Sequence, residues 1–166
     1  HQPDRLGQAD GFRQTRVGTG HRPFTLYKLR SMAPDAAASD HARQSTSRSD
    51  PRRLRSGAGR RRCNCDELPQ CWNVLRGDMS LVGPRPERPC FTEQLARIIP
   101  RYDERAAVLP GLTGLAQVRY AYGASVQDAR IKLDYDLRYI TNRSLLLDLR
   151  ILAATVRVVL FRIGAR

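Results

Sequence analysis

No stretch of this 166-residue chain runs for eighteen or more apolar residues, so no segment reads as a bilayer-spanning helix. The fingerprint G-x-G-x-x-G is absent, so no dinucleotide-binding turn is marked in the sequence. Acidic residues are scarce: 16 Asp and Glu stand against 29 Lys and Arg, for a formal charge of +13. A surface of that sign attracts polyanions, whether nucleic acid, anionic lipid head groups or nucleotide phosphates. Helix-turn-helix, zinc-finger and aromatic RNA-binding signatures are also absent, so nucleic acid is not expected as the partner despite the charge. The cysteines Cys63, Cys65, Cys71 and Cys90 fit neither a paired C-x-x-C zinc arrangement nor a secreted disulfide framework, and read as reduced thiols of a cytosolic compartment. No initiator methionine or signal peptide precedes His1, which leaves a fragment of a longer protein or a peripheral membrane contact as the two expectations.

What is present is the length of one domain, residues 1–166, with an uneven distribution of charge. From His41 to Arg62 there are eight Arg and one acid, Asp50, in a stretch poor in large apolar residues, the composition of a solvated segment. Residues 33–59 carry no periodic pattern and read as a loop or disordered linker. Before it, Gly18 and Gly20 mark a turn between two short segments, the second (Phe24 to Leu29) alternating like a strand, and a hairpin is expected. After it, DELPQCWNVLRG reads as a short helix with Asp66 at its N-terminus and Gly77 as its stop. A brief apolar run, Met79 to Val82, leads into a loop where Pro84 and Pro86 hold the backbone extended around Arg85.

Residues 91 to 107 are expected to form one helix, and GLTGLAQVRYAYG a turn with an irregular or strand-like segment. Another helix is expected from an N-capping Ser125 to about Asn142. The last segment, Leu145 to Ile163, sets Leu145, Leu149, Leu152, Val156 and Val159 on one helical stripe, with Arg150 and Arg157 on another. That stripe either packs on the core or lies in a membrane interface.

Chemistry concentrates at Asp66 and Glu67. Free N–H groups and the positive dipole end at a helix start favour an ionised carboxylate and attract phosphate to the same spot. Such a carboxylate can attack phosphorus covalently, and a neighbouring acid can hold the Mg²⁺ that neutralises a diphosphate; ordinary capping is the alternative reading of the same pair. Lys28 and Arg30 on the expected strand, Arg76 at the short helix's end and Arg85 on the stiff loop are cations able to clamp a diphosphate, and each alone is equally a solvated surface charge.

In order along the chain, FRQTRVG, RPFTLYKLRSM, DELPQCWNVLRGDMSLVGPRPE and PGLTGLAQVRY resemble the motifs of the bacterial sugar transferases, the monotopic polyprenyl-phosphate phosphoglycosyl transferases. The ending KLDYDLRYITNRSLLLDLRILAATVRVVLF is similar to their exopolysaccharide-assembly branch. The resemblance implies a mixed α/β, helix-dominated, compact monotopic domain with interfacial helices and little sheet. It implies transfer of a phosphosugar from a UDP-sugar to polyprenyl (undecaprenyl) phosphate through a covalent intermediate on Asp66, releasing UMP, with Glu67 binding Mg²⁺ and Lys28, Arg30, Gln70, Arg76 and Arg85 around the phosphates. It further implies an anionic membrane surface at the cytoplasmic face of the bacterial inner membrane, peripheral or monotopic, with other polysaccharide-assembly proteins as further partners.

The sequence departs from that pattern in two places. Family members usually open with a hydrophobic membrane-embedded helix, where this chain has HQPDRLGQADG. In DPRRLRSGAGRRRC, Ala58, Gly59 and Arg60 stand where Arg, an aromatic and a leucine are expected, and losing two apolar anchors removes burial worth about 2–3 kcal/mol each. These departures motivate an alternative expectation, a truncated and catalytically inactive relative acting as a binding or scaffold protein.

Overall fold

In the computed structural model, described over residues 11–29, 67–120, 123 and 125–161, the order is strand–strand, then helices alternating with two short strands, then two long helices. The expected hairpin forms: β1 (Gly11–Val17) pairs antiparallel with β2 (Pro23–Leu29), Val17 opposite Pro23 and Arg13 opposite Tyr27. The stretch 33–59 expected to be a loop lies outside the described residues, as do Arg30 and Asp66.

The short helix is later and smaller than expected. Helix α1 spans Gln70–Leu75 and Pro69 is its N-cap, so Glu67 sits in the turn before it. The approach is tight: Cys71 N–H donates to Leu68 C=O at 3.0 Å and Trp72 N–H to Pro69 C=O at 3.1 Å, three-residue spacings typical of 3-10 geometry. Gly77, with φ 80°, ends the helix as expected, in the left-handed conformation glycine adopts without a Cβ penalty.

Strand β3 (Ser80–Val82) pairs in parallel with β4 (Gly111–Thr113), so the fold holds two two-stranded sheets among its described residues. The two strands cross so closely that a Cβ on Gly111 would lie against the backbone nitrogen and Cα of Gly83. The expected helix over 91–107 is two pieces. Helix α2 (Pro89–Ile98) stops because Pro100 drives Ile99 into extended backbone (φ −112°, ψ 113°), Arg101 follows at φ 65°, and Tyr102–Ala107 resumes as a 3-10 turn. The segment after Pro110 is likewise richer than expected, since β4 is followed by a five-residue helix α3 (Leu115–Arg119).

Helix α4 (Val126–Thr141) begins as anticipated at Ser125, and a capping box closes it: Asp128 N–H donates to Ser125 Oγ at 3.1 Å and Ser125 N–H to Asp128 Oδ2 at 2.9 Å. Helix α5 (Leu145–Phe161) packs on the domain, but of the expected stripe Leu152 lies against the core while Leu145, Leu149 and Val156 face outward. Ile151 is the buried residue, joined to Val82 and Tyr139 with Leu147 and Leu152 alongside. Leu145, Leu149 and Val156 are 76%, 55% and 57% exposed. An apolar helix with few charges offers two faces of similar hydrophobicity, and specific ties choose between them: Tyr139 Oη donates to Asp148 Oδ1 (2.9 Å), and the Thr113 and Thr155 hydroxyls meet at 2.7 Å. A second cluster, Ile99, Tyr102 and Leu133, seats α4 on the 3-10 turn. The domain is mixed α/β, dominated by helix, with little sheet, as expected.

Candidate phosphate-binding site

Sequence neighbours do not assemble this site; β2, the turn before α1 and the Pro84–Pro86 loop do. Lys28, near the end of β2, places Nζ 3.4 Å from Glu67 Oε1, and Arg85 places Nη2 2.9 Å from the same oxygen. Burial by itself raises the pKa of Glu67, but the Arg85 guanidinium and the Lys28 ammonium outweigh it and hold the carboxyl at about 2, against an ordinary 4.5. A carboxylate so held is ionised at any physiological pH. The side chains of its two cations are 19% and 44% exposed.

Gln70 lies at the first position of α1, is 4% exposed, and its Nε2 is buried with no hydrogen-bond partner. A buried amide N–H without a partner costs about 1–3 kcal/mol, which a ligand oxygen would recover. Arg76 goes elsewhere: its Nε lies 3.3 Å from Asp78 Oδ2 at the far end of α1, and the charges acting on Glu67 are those of Arg85 and Lys28. Of the seven residues expected at the site, the structure brings Lys28, Glu67 and Arg85 together, puts Gln70 one turn along, turns Arg76 to Asp78, and does not describe Arg30 or Asp66.

Residues that sequence reasoning passed over hold these pieces in place. Asn73, 0% exposed, accepts from Tyr27 N–H through Oδ1 (3.2 Å) and donates from Nδ2 to Thr25 C=O (2.7 Å), locking α1 to β2 and hence Glu67 to Lys28. Patterning gave no signal for it, since this helix buries its polar Gln70 and Asn73 and exposes Trp72 and Leu75. Arg105 and Asp136, joined at 2.8 Å, had none, being 31 residues apart.

As for a metal, no group of three or more His, Cys, Asp or Glu is arranged to hold one among the described residues. A single carboxylate nevertheless suits Mg²⁺, which commonly takes one or two protein carboxylates and completes its octahedron with phosphate oxygens and water. Glu67 fits that share.

The sequence model of the family described as Bacterial sugar transferase matches residues 7–162. The chain belongs to the bacterial sugar transferases. Among the relatives of this bacterial sugar transferase, the UDP-N-acetylgalactosamine-undecaprenyl-phosphate N-acetylgalactosaminephosphotransferase of Aeromonas hydrophila is 47% identical over 155 residues, 93% of this chain and 36% of the relative. The UDP-glucose:undecaprenyl-phosphate glucose-1-phosphate transferase of Caulobacter vibrioides is 45% identical over 152 residues, 87% of this chain and 54% of the relative. The Exopolysaccharide production protein PSS of Rhizobium leguminosarum is 41% identical over 154 residues, 87% of this chain and 74% of that protein. The chain thus spans about a third of the Aeromonas relative and about half of the Caulobacter one. No helix of the described residues is long and apolar enough to cross a membrane.

Proposed function

We propose that this chain carries the catalytic part of an enzyme that moves a phosphosugar from a UDP-sugar to undecaprenyl phosphate, opening exopolysaccharide synthesis at the cytoplasmic face of the bacterial inner membrane. The observation that carries the reading is the Glu67 carboxylate held ionised between Lys28 and Arg85, with a buried Gln70 amide lacking an acceptor one turn along the chain. That is a set of donors and charges suited to a diphosphate.

Asp66 precedes Glu67 directly, and in this reading it is the nucleophile. An Asp66 oxygen attacks the sugar-bearing phosphorus; as the new O–P bond forms, the bond from that phosphorus to the bridging oxygen breaks, and UMP leaves with the electron pair. An oxygen of the polyprenyl phosphate then attacks the same phosphorus, releasing the Asp66 carboxylate and leaving a polyprenyl diphosphate-linked sugar. Mg²⁺ held by Glu67 would lower the charge on the diphosphate. Lys28 and Arg85 trade part of their pairing with Glu67 for phosphate oxygens, and the Gln70 amide donates to one of them. The exposed Leu145, Leu149 and Val156 face of α5 rests on the lipid interface, and the +13 charge favours anionic head groups.

The test is UMP release from UDP-glucose, UDP-N-acetylgalactosamine and related donors with Mg²⁺ and undecaprenyl phosphate, comparing the chain with Asp66→Asn. Release that falls about 10³-fold or more in the variant supports the nucleophile. Donor binding with no release from the folded chain would instead assign a scaffold role.

A further inference from the structure

The loop that presents Arg85 is held by every one of its carbonyls. Pro84 C=O accepts from Gly111 N–H (2.9 Å) and Glu87 C=O from Val17 N–H (3.0 Å). Between them, Arg85 C=O accepts from Arg105 Nη2 (3.0 Å) and Pro86 C=O from Arg16 Nη1 (3.0 Å). Two guanidiniums, one from the hairpin and one from the 3-10 turn, therefore grip consecutive carbonyls.

The need for them follows from the sequence. Pro84 and Pro86 have no N–H, so this stretch cannot stitch itself into a ladder, and Pro86 confines Arg85 to extended backbone. A loop whose prolines cannot donate relies heavily on its carbonyls to fix its backbone. Arg105 is equipped for this: Nε donates to Asp136 Oδ2 (2.8 Å) and Nη1 to Tyr102 Oη (2.7 Å), fixing the guanidinium plane so that Nη2 meets the Arg85 carbonyl. Its side chain is 13% exposed and that of Asp136 2%. Arg16 is set by Nη2 donating to Gln14 Oε1 (2.6 Å), with Glu87 Oε2 at 3.9 Å from Nη1.

We propose that Arg105 and Arg16 are positioning residues for Arg85, fixing its backbone so that its guanidinium meets the diphosphate in one orientation. The inference rests on the phosphate-binding reading of Lys28, Glu67 and Arg85. Neither guanidinium contacts substrate. Arg105 acts through the Arg85 carbonyl and Arg16 through the Pro86 carbonyl that follows it, where a displacement of about 1 Å is enough to cost a large factor in binding or rate. Lysine cannot replace Arg105, since a single ammonium cannot reach a carboxylate, a phenol oxygen and a carbonyl held in three directions by one planar fork.

The experiment measures UDP binding by calorimetry in magnesium buffer, with thermal midpoints, on the full chain and on Arg85→Met, Arg105→Lys, Arg16→Met and the doubles that combine each of the last two with Arg85→Met. Arg85→Met is expected to weaken UDP about tenfold, and Arg105→Lys or Arg16→Met about three- to fivefold; on top of Arg85→Met either change should add less than about twofold, the signature of coupled residues. Arg105→Lys keeps a cation beside Asp136 but gives up bonds of the fork, so its midpoint falls by a few degrees and binding is measured well below it; Arg16→Met leaves that buried pair intact as an independent check. A loss of equal size in both backgrounds, or none in the single variants, overturns the positioning role. Unchanged UDP binding in Arg85→Met overturns the phosphate reading itself, and this inference with it.

Discussion

The helical part of the molecule and the shelf that carries the candidate site are held by different forces. Around α4 and α5 apolar clusters do most of the holding, Val82, Tyr139 and Ile151 in one and Ile99, Tyr102 and Leu133 in another, with a few polar ties such as Tyr139 to Asp148 setting which face is used. On the shelf the ties are polar and reach the main chain: Asn73 to β2, Arg16 and Arg105 to the proline loop. Apolar burial is roughly proportional to area and has no preferred direction, so it secures that two elements adhere. Hydrogen bonds fall off steeply with angle, so they secure where a particular atom lies. The candidate site, where Glu67, Lys28 and Arg85 are set against one another, draws on the second kind of force.

Breaking the apolar side should give the largest loss. Ile151→Ala empties the centre of the first cluster, and an unfolding free energy lower by about 3–4 kcal/mol is expected, read from urea midpoints. On the polar side, Asn73→Ala leaves the Tyr27 N–H and the Thr25 C=O without their partner and is expected to cost about 2–3 kcal/mol, while weakening UDP binding in the molecules that remain folded. If UDP binding by folded Asn73→Ala matched the parent, the shelf would not depend on directional ties.

Acid offers a gentler probe of the same side. Glu67 titrates at about 2 in the fold and near 4.5 when its partners are gone, so its contribution is complete above pH 4.5 and fades as pH falls toward 2. Relative to Glu67→Gln, the parent should therefore be more stable at pH 5 and 7, by about 1–2 kcal/mol for a partly screened pair, and the gap should narrow at pH 3. The smallest effect is expected at Leu149→Ser: on the outward face of α5 its side chain supports neither region, and the change in stability should stay within about 0.5 kcal/mol. The same variant should reduce binding to anionic vesicles if that face rests on lipid.

These differences also explain what could be read in advance. The hairpin was legible because Phe24 to Leu29 alternate and glycines mark the turn, and α4 because Ser125 is a strong capping residue ahead of a periodic run. Glu67, Lys28 and Arg85 were legible as charged residues within long motifs, and they converge. Pro100 shows a local signal overlooked: it lay in plain view inside an expected helix and broke it. The face of α5 was not legible, because its two stripes are similarly apolar and the choice depends on Tyr139 and Thr113, which belong to other elements. Arg76 illustrates the reverse case, a cation of the right type in the right motif whose helix carries it to Asp78 instead.

The Asn73 amide has one more consequence. A two-stranded sheet offers outer edges on which a foreign strand could build, and an unpaired N–H and C=O two residues apart are what an incoming chain would read first. On β2 those groups are the Tyr27 N–H and the Thr25 C=O, and both are already taken by one side chain. Asn73 thus stands in for one residue of a neighbouring strand, closing this part of the β2 edge to pairing.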